Sequence, residues 1–270
     1  RVMFSVNCCL LVGTLLVLVS GSVQPEKQWE ITWSDEFDGS QVNQSQWTVA
    51  DGFVVNDDTM WSASMVSVHD GFLHMGTDVA PHSLKSKGIN FVSAMLNTTG
   101  KFSQLRGRFA TRAMLPSGKG IWPAFWGMPE SSVCWPTGGE IDVFELFDKT
   151  GSPPWNNTVF GTYHWASECN QDRWQGHNSF FPPLGGIDYS SGFHEFAVEW
   201  SETELKWFVD DELFHIRRSG EPQDLFIPSL PFYWILQTAV AGPTSWHPEP
   251  KLTHLPVYFV VDWVRAYREK

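Results

Sequence analysis

The chain has 270 residues, 42% of them hydrophobic, with 15 Trp, which is enough apolar surface for one large packed core and too much for a disordered chain. Its 30 acidic residues against 18 basic ones give a net charge of −12. No basic stripe interrupts that excess, so nucleic acid is excluded as a partner, a sulfated polyanion is disfavoured, and a neutral partner fits best.

At the start, Arg1 precedes the apolar run CCLLVGTLLVLV (8 to 19) and the small residues Ser20-Gly21-Ser22 follow it, the layout of a secretory signal peptide. The run is shorter than the roughly 20 apolar residues of a spanning helix, and no later segment is longer. Residues 1–22 are therefore expected to be a cleaved leader, and 23–270 one secreted domain that keeps no membrane attachment. Loss of Arg1 leaves 17 basic residues against 30 acidic ones, a net charge of about −13. Cys8 and Cys9 leave with the leader, and an oxidising compartment permits one disulfide between the remaining Cys134 and Cys169. Closing that loop would contribute on the order of 3 to 4 kcal/mol. Asn43, Asn97 and Asn156 open N-x-S/T sequons, candidate glycan sites on surface loops.

Along the chain, short runs with strand composition recur: GRFATRAML (107 to 115), IDVFELF (141 to 147), FHEFAVEW (193 to 200), LKWFVD (205 to 210) and VYFVVDWVRAY (257 to 267). Asp210-Asp211 separates two of them as the turn of a β-hairpin. There is no fixed-period repeat, no domain linker and no long capped helical pattern. These features predict an all-β fold, antiparallel sheets packed as a sandwich. No zinc-spaced Cys/His cluster, phosphate-cradling glycine loop or G-x-S-x-G elbow occurs, so no catalytic cofactor is expected.

One strand carries an anomaly. In GGEIDVFELFD (138 to 148), strict alternation puts Glu140 and Asp142 on one face but sends Glu145 to the other, among Ile141 and Val143. An unpaired carboxylate in the core is costly. A β-bulge near Val143-Phe144 removes the conflict by shifting the register one residue, so that all three acids share one surface. Glu140 and Glu145 would then stand about 13 Å apart at Cα, with side chains able to lean together. Two carboxyls about 5 to 5.5 Å apart suit a retaining glycoside hydrolase, one attacking the sugar carbon and the other protonating the departing oxygen, with Asp142 between them helping to separate their pKa values. A solvated acidic face would have the same composition. The neighbours favour a site: Trp122 and Trp126 in GIWPAFWGMPE (120 to 130), Trp135, and His164-Trp165 in GTYHW offer flat apolar faces and N–H donors suited to pyranose rings. Trp200, Trp207 and Trp263, set in apolar strands, read as core.

The segment GEIDVFE, with WPAFW before it and HW after it, resembles glycoside hydrolase family 16. WSDEFDG (33 to 39), GRFATRAMLPSGKGIWPAFW (107 to 126), FHEFAVEWSETELKWFVDD (193 to 211), PFYWILQTAVAG (231 to 242) and VDWVRAYR (261 to 268) are similar to further blocks of that family in the same order. The resemblance implies a curved antiparallel β-jelly-roll sandwich with a concave substrate cleft. It implies, from the laminarinase-like E-x-D-x-x-E spacing, Glu140 as nucleophile, Asp142 as assisting residue and Glu145 as general acid/base on a neutral β-1,3-glucan. It also implies a structural calcium on the side away from the cleft, for which Asp262 in the last strand is the candidate ligand. The expected activity is internal cleavage of β-1,3-glucan by a monomer. A β-glucan transglycosylase would use the same acids, and a non-catalytic β-1,3-glucan recognition protein would typically lack them.

Overall fold

The computed structural model describes residues 27–55, 58–146, 158–170, 188–240 and 254–270, and the backbone alone at 178–180. The expected leader and Asn156 lie outside these residues. In chain order the strands are β1 (Trp29–Asp35), β2 (Thr48–Val49), β3 (Phe53–Val55), β4 (Thr59–Trp61), β5 (Val66–His69), β6 (Phe72–Val79), β7 (Phe91–Ser93), β8 (Met95–Asn97) and β9 (Gly107–Met114). They continue as β10 (Ile121–Pro129), β11 (Glu140–Leu146), β12 (Val159–His164), β13 (Asn178–Phe180), β14 (His194–Trp200), β15 (Glu204–Val209), β16 (Glu212–Arg218), β17 (Phe232–Val240) and β18 (Val257–Glu269). One four-residue helix, α1 (His82–Lys85), interrupts them.

Two sheets result, and they are those of an all-β jelly-roll sandwich. The larger, of eleven strands, runs β16-β15-β14-β9-β18-β6-β7-β4-β3, with β1 beside β18 and β5 beside β6; the smaller, of seven, runs β13-β12-β11-β10-β17-β8-β2. Pairing is antiparallel as expected, except between β4 and β7, which run parallel because β5 and β6 intervene before the chain returns beside β4. The hairpin expected at Asp210-Asp211 joins β15 to β16, and both aspartates take the left-handed backbone (φ 49° and 64°) that a two-residue turn of this hand requires.

Alternation places one face of each sheet inside. On β14, Phe196, Val198 and Trp200 are buried while Glu195 and Glu199 face outward. Large rings from the two sheets interlock: Phe109 stacks on Trp234 with centroids 4.1 Å apart, Trp200 meets Phe232 at 4.9 Å, and Phe144 meets Phe196 at 4.5 Å. Each such side chain withdrawn from water contributes roughly 1.5 to 3 kcal/mol. Trp200, Trp207 and Trp263 are buried, as their apolar context predicted. Outside the larger sheet, Arg108 bridges Glu195 (2.8 Å), Glu199 (3.4 Å) and Asp211 (2.8 Å).

Cys134 and Cys169 form a disulfide, with Cα atoms 5.5 Å apart. Asn43 lies in an exposed turn whose Oδ1 accepts the Ser45 N–H, and Asn97 closes β8 half-buried.

Candidate functional site

The bulge expected in the acidic strand is present. Asp142 pairs with Thr162 and Glu145 with Phe160 of β12, so three steps along β11 answer two along β12. Against β10 the same slip falls between Trp126↔Asp142 and Phe125↔Phe144. Val143 and Phe144, adjacent in sequence, therefore both enter the core with Ile141 and Leu146, while Glu140, Asp142 and Glu145 emerge on the outer face of the smaller sheet.

A bulge breaks the ladder locally, so a freed carbonyl needs another donor. Trp207, on β15 of the opposite sheet, donates its Nε1–H to the Asp142 carbonyl at 2.7 Å, through the core. Gly161 on β12 makes room for it, since a Cβ there would lie 2.5 Å from Trp207 Cδ1. The bulge is thus held from behind by the other half of the sandwich.

In front of it is a cleft of about 210 Å³ lined by the three acids, by Trp122, Ala124 and Trp126 of β10, by Gln237 of β17, and by Val55 and Trp61 of the β3–β4 hairpin. Glu145 accepts from Trp122 Nε1 at 3.1 Å and from Thr162 Oγ1 at 3.4 Å. Burial, and after it the Asp142 carboxylate, push its carboxyl up to about 8; Glu140 adds to the rise, while His164 and the Trp122 hydrogen bond oppose it. At neutral pH it therefore holds a proton. Glu140 accepts from Trp135 Nε1. Asp142, 2% exposed, faces His164 Nε2 at 3.2 Å. One carboxyl retaining its proton beside a second held by a tryptophan N–H is an arrangement that can donate a proton and present a nucleophile in the same cleft.

The structure brings together Glu140, Asp142, Glu145, Trp122, Trp126, Trp135 and His164. Trp165 is a correction: expected at the substrate, it is 1% exposed in the core, edge-on to Phe226 at 6.0 Å. Neighbouring side chains on an extended chain point to opposite faces, so His164 at the cleft sends Trp165 inward. Trp61, Val55, Gln237 and Thr162 were not read from the sequence. No motif marks them, and only the folded hairpin and strand pairing bring them to the cleft.

For a cation, the described residues offer Glu140, Asp142 and His164, whose ligand atoms lie within 4.8 Å of one another. These groups already engage Trp135 and each other. Asp262, the candidate calcium ligand, lies in the larger sheet and is ion-paired to Arg112. A single carboxylate facing a guanidinium does not fit an ion that takes six to eight oxygens.

Comparison with known proteins bears on the same residues. The sequence profile of glycosyl hydrolases family 16 matches residues 27–264. The chain is 33% identical over 267 residues to the beta-glucanase of Rhodothermus marinus, covering 92% of this chain and 89% of that one. It is 30% identical over 265 residues to glucan endo-1,3-beta-glucosidase A1 of Niallia circulans, covering 89% of this chain but 38% of that much longer protein. Among solved structures, the catalytic domain of an endo-1,3-beta-glucanase (laminarinase) from Thermotoga petrophila superposes with a TM-score of 0.78 at 30% identity, covering 91% of this chain and all of that one. With the profile spanning nearly every described strand and the sandwich matching as a whole, the chain belongs to glycosyl hydrolase family 16 and is a glycosidase.

Proposed function

We propose that the protein is an endo-acting β-1,3-glucanase that cleaves with retention of configuration. The observation that carries this reading is the bulge in β11, which sets a carboxyl with its pKa pushed up to about 8 on the same face as Glu140. Glu140 attacks the anomeric carbon, forming an ester to the glycosyl unit as the glycosidic C–O bond breaks. Glu145 gives its proton to the departing oxygen. It then takes a proton from water, which attacks the same carbon, releases the sugar and returns Glu140 as a carboxylate. Asp142, with His164 against it, is the assisting residue. Its charge keeps Glu145 protonated during the first step. Trp122 and Trp126 supply apolar faces for the sugar rings. The names of the relatives from Niallia circulans and Thermotoga petrophila support a β-1,3-linked glucan as substrate. The net charge suits a neutral polymer, and the Cys134–Cys169 disulfide suits a secreted protein.

The test is release of oligosaccharides from laminarin, with the anomer first formed followed by NMR. The wild type is expected to give mixed lengths and the β-anomer first. Glu140→Gln is expected to abolish turnover while melting as the wild type does. Glu145→Gln is expected to lose about 10²- to 10⁴-fold in kcat/KM on laminarin but far less in kcat/KM on an aryl β-glucoside, whose leaving group needs no proton in the first step, while kcat falls on both as the second step loses its base. Full activity of the Glu140 variant, or the α-anomer formed first, would defeat the assignment.

A further inference from the structure

Of the two sequon asparagines among the described residues, Asn97 is the one that a strand carries onto the acid-bearing face. It ends β8, where Leu96 turns into the core and Met95 and Asn97 face the other way. Register fixes which face that is: Asn97 pairs with Ile235 of β17, Ile235 with Trp126 of β10, and Trp126 with Asp142 of β11. Directly paired residues share a face, so Asn97 and the three acids stand on one side of the smaller sheet. Met95, two residues back on the same face, pairs with Gln237, which lines the cleft. Three strand spacings separate β8 from β11, roughly 14 Å across the sheet. Asn97 therefore stands on the rim of the cleft, at the end away from the acids.

The local geometry suits a substituent on the amide nitrogen. Asn97 Oδ1 accepts the Thr99 N–H at 3.2 Å, which pins the side chain in a turn and leaves Nδ2 on the opposite edge of the amide, against the Met95 sulfur at 3.6 Å. A thioether end is flexible and yields readily. Nδ2 thus faces the cleft end and not the turn that follows. Asn97-Thr98-Thr99 has no Pro in its middle position and lies where β8 gives way to a turn closed by the Lys101 N–H on the Thr98 carbonyl at 2.9 Å. Asn43, in a turn outside the strands, instead gives its Nδ2 to Gln46 Oε1 at 2.9 Å.

We propose that Asn97 carries an N-linked oligosaccharide that walls off the β8 end of the cleft and so favours short glucan chains over long ones. The bond is made as the chain enters the secretory compartment, ahead of folding. Nδ2 attacks C1 of the first N-acetylglucosamine of a lipid-pyrophosphate-linked oligosaccharide; an N–C bond forms, the C–O bond to the pyrophosphate breaks, the Nδ2 proton goes to a base of the transferase, and the lipid pyrophosphate leaves. The effect on chain length rests on the glucanase reading above; occupancy of Asn97 does not.

For the test, the chain is passed through the secretory pathway of a eukaryotic host and the Asn97 peptide is weighed by mass spectrometry. The peptide is expected to carry an oligosaccharide, to lack it in Thr99→Ala, which breaks the sequon but keeps Asn97, and to keep it in Thr99→Ser. Thr99→Ala is expected to raise kcat/KM about fivefold on laminarin and less than twofold on laminaritetraose, with melting temperatures compared. Trimming the folded wild type with an endoglycosidase is expected to give the same gain with no substitution. An unmodified Asn97 peptide in the secreted wild type overturns the site. An occupied Asn97 whose glycan can be lost by either route with laminarin turnover unchanged, or with equal gains on both substrates, overturns the wall. A wild type that cleaves neither glucan, whether intact or trimmed, overturns the glucanase reading, while the mass of the Asn97 peptide still decides the glycan.

Discussion

The Glu145 carboxyl keeps its proton because of where it is buried, and the same burial makes it a liability. Its pKa is raised from an ordinary 4.5 to about 8, so the folded state binds the proton more tightly than the unfolded chain does. That contribution to stability is complete below pH 4.5 and disappears as pH rises through 8, an effect on the order of a few kcal/mol. Activity is therefore expected to fall on the alkaline side as this proton is lost, with the limb of the kcat/KM profile near pH 8. Glu145→Gln, neutral at every pH, is expected to melt above the wild type at pH 9 and close to it at pH 5. His215 gives the opposite sign. Buried against Trp207, with neither ring nitrogen partnered among the described residues, it is pushed down from 6.5 to about 4 by desolvation. Stability present above pH 6.5 is lost as pH falls toward 4. His215→Leu is expected to lose less melting temperature than the wild type between pH 7 and pH 4.5.

At the scale of the element, β11 is set by its back as much as by its face. The Trp207 N–H satisfies the Asp142 carbonyl, and Gly161 leaves room for the indole. Trp207→Phe should cost about 1 to 3 kcal/mol for the carbonyl left without its donor. Gly161→Ala should cost about the same through overpacking. Both should lower kcat more than they raise KM, because the acids move while the cleft-lining indoles of β10 stay; chemical denaturation and steady-state kinetics on laminarin would check this. The bulge itself was legible, because Glu145 falls out of phase with two acids and in phase with core residues, a conflict that only an extra residue removes. The pairing of His164 with Asp142 was not legible, since registration between β11 and β12 is fixed by folding. Trp165 was misplaced because two aromatic neighbours were read as a unit where alternation divides them. Trp61 escaped notice because its hairpin reaches the cleft only through parallel pairing of β4 with β7, which no local pattern announces.

For the whole molecule, the sandwich divides labour between its sheets. The smaller displays the acids; the larger supplies the anchoring indole and, outside, the ion pairs around Arg108. Two parts of the chain that flank the site are joined by Cys134–Cys169. Cys134 precedes Trp135, the donor to Glu140, and Asn170, next to Cys169, gives its N–H to the Trp135 carbonyl. Replacing both cysteines by serine is expected to lower stability by about 3 to 4 kcal/mol. It should also depress kcat as Trp135 loosens its hold on the Glu140 carboxylate, readable by thermal melting and laminarin turnover under non-reducing conditions. The overall architecture was legible from strand-length runs and turns, while the curvature that makes one face a cleft was not, because it arises from twist and from the bulge acting across several strands.

Val143 and Phe144 both point inward, so excising either one leaves Glu, Ile, Asp, a single apolar residue, Glu and Leu in perfect alternation, the acids still outside and the leucine still inside. A one-residue deletion would turn an ordinary strand inside out from that point onward. Here it would shorten the span between the outer carboxyls and nothing else about their polarity, so this strand can exist at two lengths with the same sidedness, and the reach between its acids is open to change by a single codon.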